Sequence, residues 1–98
     1  MVKVEWDENK NESNIEKHGL NFEDAAEVFD SPMLIALDAR QNYGEDRWIG
    51  LGLIEYRVVV VVYTYRDTDT VRVISMRKAL QHEKYPYEEF LRNRLGTD

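Results

Sequence analysis

The sequence predicts an α+β fold in which helices pack on one face of an antiparallel sheet. Three observations indicate this class: a short first strand is followed by two helical segments, four strand segments come next, and a helical segment closes the chain. The links between the four strands are shorter than the dozen or so residues that a parallel crossover needs. We therefore expect a strand, two helices, a four-stranded antiparallel meander and a C-terminal helix, forming a single domain over residues 1–98.

Alternation and capping residues define the first strand and the first helix. Val2 to Trp6 alternates between apolar and polar residues, which is typical of a half-buried strand. Asp7 can cap a helix over about Glu8 to His18, and Gly19 can end it. Because this helix is almost entirely polar, it must lie on the surface or use its polar face.

The second helix carries one apolar stripe. Asn21 can cap it, with Asp24 at the reciprocal position of a capping box, and Pro32 stops it. The spacing i, i+3, i+4, i+7 predicts that one buried side is formed by Phe22, Ala25, Ala26 and Phe29.

Four strands and a last helix complete the prediction. The strands are expected at Met33 to Asp38, Arg47 to Ile54, Arg57 to Arg66 and Val71 to Arg77. The third contains five consecutive valines and should be central, because an exposed edge of that kind would aggregate. Gly50 and Gly52 inside a strand indicate a bulge or a close backbone approach. Pro86 is expected to break the helical stretch, so that the last helix runs from Tyr87 to Leu95.

Composition narrows the function classes. The chain has no Cys, which excludes disulfides and thiolate zinc sites and fits a reducing cytoplasm. No apolar run approaches the roughly 20 residues of a membrane span. The net charge of −6 argues against a generic nucleic-acid binder, but it is unevenly distributed. Residues 1–46 hold 12 acids and 4 bases, and residues 47–98 hold 7 acids and 9 bases, so a local anion site or an ordinary solvated surface both fit.

The first helix presents a polar face that can bind phosphate or transfer protons. Lys10, Asn14, Lys17 and His18 fall at i, i+4, i+7 and i+8 and share one side of that helix. The alternative is a solvated helix in which His18 serves the C-terminal end, where a cation suits the helix dipole.

The strands contribute arginines that can bind an anion. Arg66 ends one strand, whereas Arg72 and Arg77 are separated by an odd number of residues and face opposite ways unless a bulge intervenes. We therefore expect Arg66 and Arg77 to form the anion-facing pair, because guanidinium groups match phosphate oxygens. The alternative is that these arginines form salt bridges with nearby acids. A metal site is not expected, because the only histidines, His18 and His82, lie 64 positions apart without a ligand motif.

Taken together, these residues resemble the BrnT toxin family. The opening WDENKNESNIEKHGLNFEDAAEVFDSP fits the family's aromatic-Asp start, its Lys-His-Gly and its Phe-Asp stop. Glu45-Asp46-Arg47, VVVYTYRD, RVISMRKA, and Glu83 with Tyr87 fit the later family segments in order. Met76 and Pro86 depart from the pattern and affect the placement of Tyr87 more than the fold. The resemblance covers about residues 5 to 88.

The resemblance implies a RelE-like fold and a toxin of a type II toxin–antitoxin system that cleaves RNA without a metal ion or cofactor in the cytoplasm. It also implies a BrnA-type antitoxin, bound in a hetero-oligomer. Under this hypothesis Arg66 and Arg77 stabilise the transition state, and His18 or Lys17 transfers protons. RNA contacts are assigned to Lys10, Arg47, Arg72 and Tyr87, the tyrosine by stacking a base. The alternative is a module of the same fold that binds RNA or protein without turnover.

Overall fold

The predicted order of elements is confirmed. The computed structural model describes residues 2–40, 42 and 44–94, so the predicted end of the last helix at Leu95 lies outside the described residues. The elements are β1 (Lys3–Trp6), α1 (Glu8–His18), a 3₁₀ turn (Phe22–Asp24) leading into α2 (Ala25–Asp30), β2 (Leu34–Leu37), β3 (Trp48–Ile54), β4 (Arg57–Tyr65), β5 (Thr70–Lys78) and α3 (Gln81–Arg94). None of the helices within these described ranges is long and apolar enough to cross a membrane.

The sheet has five strands in the order β1-β5-β4-β3-β2. β2 to β5 form the predicted antiparallel meander, and the valine-rich β4 is central and paired on both sides. β1 joins the outer side of β5 as a parallel strand, with Glu5 opposite Arg72. This parallel pairing was not predicted, because alternation identifies a strand without identifying its neighbour.

The main core lies between the 3₁₀ turn with α2 and one face of the sheet. Phe22, Ala25 and Val28 are fully buried there against alternate residues of β4 and β5. Ala26 is exposed, so the predicted stripe is wrong at that position and Val28 takes its place. The 3₁₀ turn precedes the α-helix and shifts the helical phase, since a 3₁₀ turn has three residues per turn.

Two glycines of β3 allow α2 and the following loop to pack closely, as expected. A Cβ atom at Gly52 would lie 2.7 Å from Val28 Cγ1 and 2.8 Å from Ser31 Oγ. A Cβ atom at Gly50 would lie 2.5 Å from the terminal methyl of Met33. The Ser31 hydroxyl also accepts a hydrogen bond from the Leu53 N–H at 3.0 Å, which attaches this loop to β3 before the start of β2.

The last helix corrects two expectations. α3 is continuous through Pro86, which lies near its N-terminal end and is exposed. The single hydrogen bond that proline removes there leaves a carbonyl that water can reach, so the helix survives. α3 also lies on the sheet face opposite to α2. Its Glu83 binds Arg77, and Arg77 is opposite Val60 on β4, a residue that does not belong to the main core cluster. The expectation that all helices pack on one face is therefore wrong for α3.

Candidate functional site

A bulge in β5 decides which arginines share a surface. Val62 is opposite Ser75, but Tyr63 is opposite Val73, so Ile74 is an extra residue. Because side chains alternate along a strand, the bulge restores Arg72 to the same side as Ser75 and Arg77. The expectation that Arg72 faces away from Arg77 is therefore wrong. We call this side the open face, because α2 does not cover it; Val60, Val62 and Thr64 on it are buried, whereas Arg72, Ser75 and Arg77 are partly exposed.

α1 borders the open face and forms a cavity with β5. The cavity has a volume of about 350 Å³ and is lined by Asn9, Lys10, Ser13, Asn14, Lys17, His18, Ile74 and Ser75. Lys10, Lys17 and His18 are exposed, so their charged or titratable ends are accessible to a ligand. The predicted polar face of the first helix thus meets the sheet at Ser75, two residues from Arg77.

Buried asparagines dock this polar helix. Asn14 donates to the Leu20 carbonyl at 2.9 Å and accepts from the Met76 N–H at 3.1 Å. Asn11 accepts from the Phe22 N–H at 2.8 Å. Asn14 thus occupies the backbone edge of β5 beyond β1, and Asn11 holds the 3₁₀ turn, so the two amides replace the apolar contacts that α1 lacks. Asn14, which the sequence placed on the polar face of the helix, is therefore buried and supports the wall of the cavity. The burial of Asn11 was not predicted from the sequence.

Arg77 is held by a carboxylate of α3. Its two terminal nitrogens donate to the two oxygens of Glu83, both at 2.8 Å, and Glu83 also accepts from the Leu80 N–H at 2.7 Å. The hydrogen bonds from Arg77 lower the pKa of Glu83 to about 2, and Glu83 in turn raises the pKa of Arg77. The Arg77 side chain remains 38% exposed. The nearby positive charge of Arg40, which sequence reasoning did not select, acts on the pKa of Arg77 in the opposite direction.

Arg66 and Arg72 meet at the other end of the open face. Both donate to the same oxygen of Glu5, at 3.1 Å from Arg66 Nε and 3.0 Å from Arg72. Arg77 lies opposite Val60, and Arg66 follows Val60 by six residues. At roughly 3.3 Å per residue the backbones of Arg66 and Arg77 are about 20 Å apart. Arg66 and Arg77 therefore do not adjoin as the predicted anion-facing pair, and each forms a salt bridge, as in the alternative.

Two further candidates do not line this cavity. Tyr87 is fully buried, and its hydroxyl donates to the Pro32 carbonyl at 2.7 Å. Burial raises the pKa of Tyr87, and its ring cannot stack on a base, so that predicted role is wrong. Arg47 is bound to Glu45 at 3.3 Å in the segment before β3. Within the part of the chain that the structure describes, no three His, Asp or Glu side chains converge as a metal site would require.

Comparisons with known proteins match this sequence and this fold. A family model described as the ribonuclease toxin BrnT of type II toxin–antitoxin systems matches residues 6–83. The crystal structure of the Brucella abortus ribonuclease toxin BrnT is similar with a TM-score of 0.64 and 32% identity, over 83% of this chain and 100% of that chain. No curated protein sequence matches. The chain is of the class of ribonuclease toxins from type II toxin–antitoxin systems. Within that class it belongs to the BrnT family, which confirms the resemblance found in its sequence.

Proposed function

We propose that this protein is a metal-independent endoribonuclease of the cytoplasm that cleaves RNA, inhibits translation and growth, and is neutralised by a BrnA-type antitoxin. The observation that carries the proposal is the cavity in which Lys10, Lys17 and His18 meet Ser75 on the open face, with Arg77 alongside. Proton-transferring and anion-binding groups thus converge at one place on an otherwise acidic protein.

The proposed reaction needs no group beyond the RNA and these side chains. The 2′-hydroxyl of the RNA loses its proton to a base and attacks the adjacent phosphorus. The bond from phosphorus to the 5′-oxygen of the next nucleotide breaks, and that oxygen takes up a proton from an acid. The products are a 2′,3′-cyclic phosphate and a free 5′-hydroxyl. The protein must therefore supply a base, an acid and positive charge for the dianionic intermediate state.

We divide these roles among the predicted residues according to their positions. His18 and Lys17 line the cavity and are assigned to proton transfer, and Lys10 to the RNA backbone. Arg77 is two residues from Ser75 on the same side of β5 and is assigned to the transition state. Arg66 and Arg72 are bound together to Glu5, whereas Arg77 is bound to Glu83, so Arg66 and Arg72 are assigned to a neighbouring phosphate of the same strand. Arg47 remains an expected RNA contact outside the cavity.

Cleavage of RNA by the purified protein in excess chelator tests the proposal. His18→Ala and Lys17→Ala remove exposed side chains, so they should reduce cleavage without unfolding the protein. Arg77→Ala should cost about 100- to 1,000-fold in rate, as loss of one transition-state donor typically does. Arg57→Ala, an exposed arginine at the start of β4, is the matched control and should cleave normally.

Two results would count against this proposal. Cleavage that stops in chelator and returns with a divalent cation would refute metal independence. RNA binding with no cleavage by the wild-type protein would favour the alternative of a binding module without turnover. Circular dichroism of every variant shows whether a lost activity reflects a lost fold.

The antitoxin is proposed to cover the open face. The arginine-rich half of the chain is the net-positive half and would complement an acidic partner, which would block RNA directly. Hydrogen exchange of the complex should then show protection over residues 66–77. Protection confined to α3 residues 87–94, with 66–77 unchanged, would instead indicate docking on the last helix.

A further inference from the structure

We infer that Arg66 and Arg72 form a phosphate subsite for RNA, and that Glu5 is an internal competitor which the RNA phosphate must displace. The inference rests on the proposed function, because it assigns a second phosphate of the same RNA strand to this cluster. In the structure, the Glu5 carboxylate occupies the position that a bound anion would take between the two arginines.

The three side chains converge because their positions on β1, on β5 and just after β4 are adjacent across the sheet. Glu5 on β1 is directly opposite Arg72 on β5, and Arg72 is opposite Thr64 on β4, two residues before Arg66. All three side chains therefore point to the open face. One oxygen of Glu5 accepts from both arginines, at 3.1 Å and 3.0 Å, as a single phosphate oxygen would between two guanidinium groups.

The cluster around Glu5 keeps a net positive charge that favours a bound anion. Two arginines face one carboxylate, and Lys3, which is opposite Thr70 on the same side of the sheet, adds a further positive charge. The neighbouring acid Asp67 accepts a hydrogen bond from the Asp69 N–H at 3.1 Å within its own turn. This hydrogen bonding lowers the pKa of Asp67. Glu45 and Asp46 border a separate cavity beside Arg66 and limit how far the anion site extends in that direction.

Displacement of Glu5 is physically accessible. The side chains of Arg66, Arg72 and Glu5 are 54%, 34% and 41% exposed, and exposed ion pairs of this kind contribute little to stability. A phosphodiester offers two non-bridging oxygens, which share its negative charge, to two guanidinium groups, whereas Glu5 uses one oxygen for both. Arg72 and Ser75 are opposite Thr64 and Val62, which are two residues or about 7 Å apart on β4, so the subsite lies beside the cavity proposed for the reaction.

Binding of an RNA analogue that cannot be cleaved tests the inference separately from catalysis. The probe is a fluorescent 2′-O-methyl oligonucleotide, in which the attacking hydroxyl is blocked, and fluorescence anisotropy measures its Kd. Glu5→Gln should tighten binding roughly 3- to 10-fold, the range that two exposed ion pairs supply. Arg72→Ala added to Glu5→Gln should remove that gain. Glu23→Gln, which makes the same charge change at an exposed site in the 3₁₀ turn, should leave the Kd within about twofold.

The outcomes separate this inference from the proposed function. Tighter binding by Glu5→Gln that depends on Arg72 supports the subsite even if the wild-type protein cleaves no RNA, a result that would refute the ribonuclease proposal alone. An equal gain in Glu5→Gln and Glu23→Gln would show a general charge effect and overturn the subsite. Unchanged or weaker binding in Glu5→Gln would overturn it as well, including when wild-type cleavage is normal.

Discussion

Removal of the Glu83 carboxylate, which binds Arg77, should make the free energy of unfolding of this protein less dependent on pH below about 4.5. Glu83→Gln replaces a group that accepts two hydrogen bonds from Arg77 and one from the Leu80 N–H. The neutral amide presents a single oxygen acceptor and no charge, so most of this attachment of α3 to β5 is lost. We expect the free energy of unfolding to fall by about 1–2 kcal/mol at pH 7.

The magnitude follows from the pKa of Glu83, which Arg77 lowers from 4.5 to about 2. At 1.36 kcal/mol per pKa unit the full effect would be about 3.4 kcal/mol. The pair is partly exposed, with 38% of the Arg77 side chain and 22% of the Glu83 side chain accessible, so solvent reduces this to about 1–2 kcal/mol. Because the folded pKa lies below the unfolded one, the stabilisation is complete above about pH 4.5 and is lost as the pH falls towards about 2.

Urea denaturation followed by circular dichroism between pH 7 and pH 2 measures the effect. The difference between the wild-type protein and Glu83→Gln should be constant above about pH 4.5 and should shrink towards zero near pH 2. Glu89→Gln changes an exposed carboxylate of the same helix and serves as the control for net charge. A difference that is absent at pH 7, or that does not change across this pH range, would refute the reasoning.

Three further changes test the packing of the sheet. Val60→Asp buries a charge in the central strand, where Val60 is 3% exposed, and should abolish the cooperative thermal transition; a variant that melts normally would contradict the assignment of β4. Gly52→Ala forces a Cβ atom to 2.7 Å from Val28 Cγ1 and should lower the free energy of unfolding by about 1–3 kcal/mol in urea, whereas an unchanged midpoint would show that α2 moves freely. Glu55→Asn with Tyr56→Gly should raise the melting temperature. Glu55 and Tyr56 have φ values of 49° and 66°, and Asn and Gly adopt positive φ in such a hairpin turn at lower cost. A lower melting temperature would show that the present side chains stabilise the turn.

Local features explain why most elements could be predicted. Asp7 caps α1 through its side chain and Gly19 ends it with a φ of 70°, both as the sequence indicates. The two-residue link Glu55-Tyr56 closes the predicted hairpin between β3 and β4. Pro86 was misjudged because its cost depends on its distance from the start of α3, and that start depends on where β5 ends.

The candidate site was only partly predictable for a similar reason. Lys10, Lys17 and His18 lie on one face of α1 by helical periodicity alone, and the structure places all three in one cavity. The parity argument failed for Arg72 because an extra residue in β5 reverses the alternation of side chains, and nothing local in the sequence reveals the bulge.

By itself, the sequence determined the identity and order of the elements, the central position of the valine strand, the basic face of α1 and the family. These properties depend on capping, periodicity and motifs, which are read over a few residues or along an ordered pattern. Only the tertiary structure decided that β1 pairs with β5, that the bulge brings Arg72 to the side of Arg77, and that α3 covers the face opposite to α2. Those features depend on contacts between residues far apart in the chain, where several registers satisfy the same local pattern and packing selects one of them.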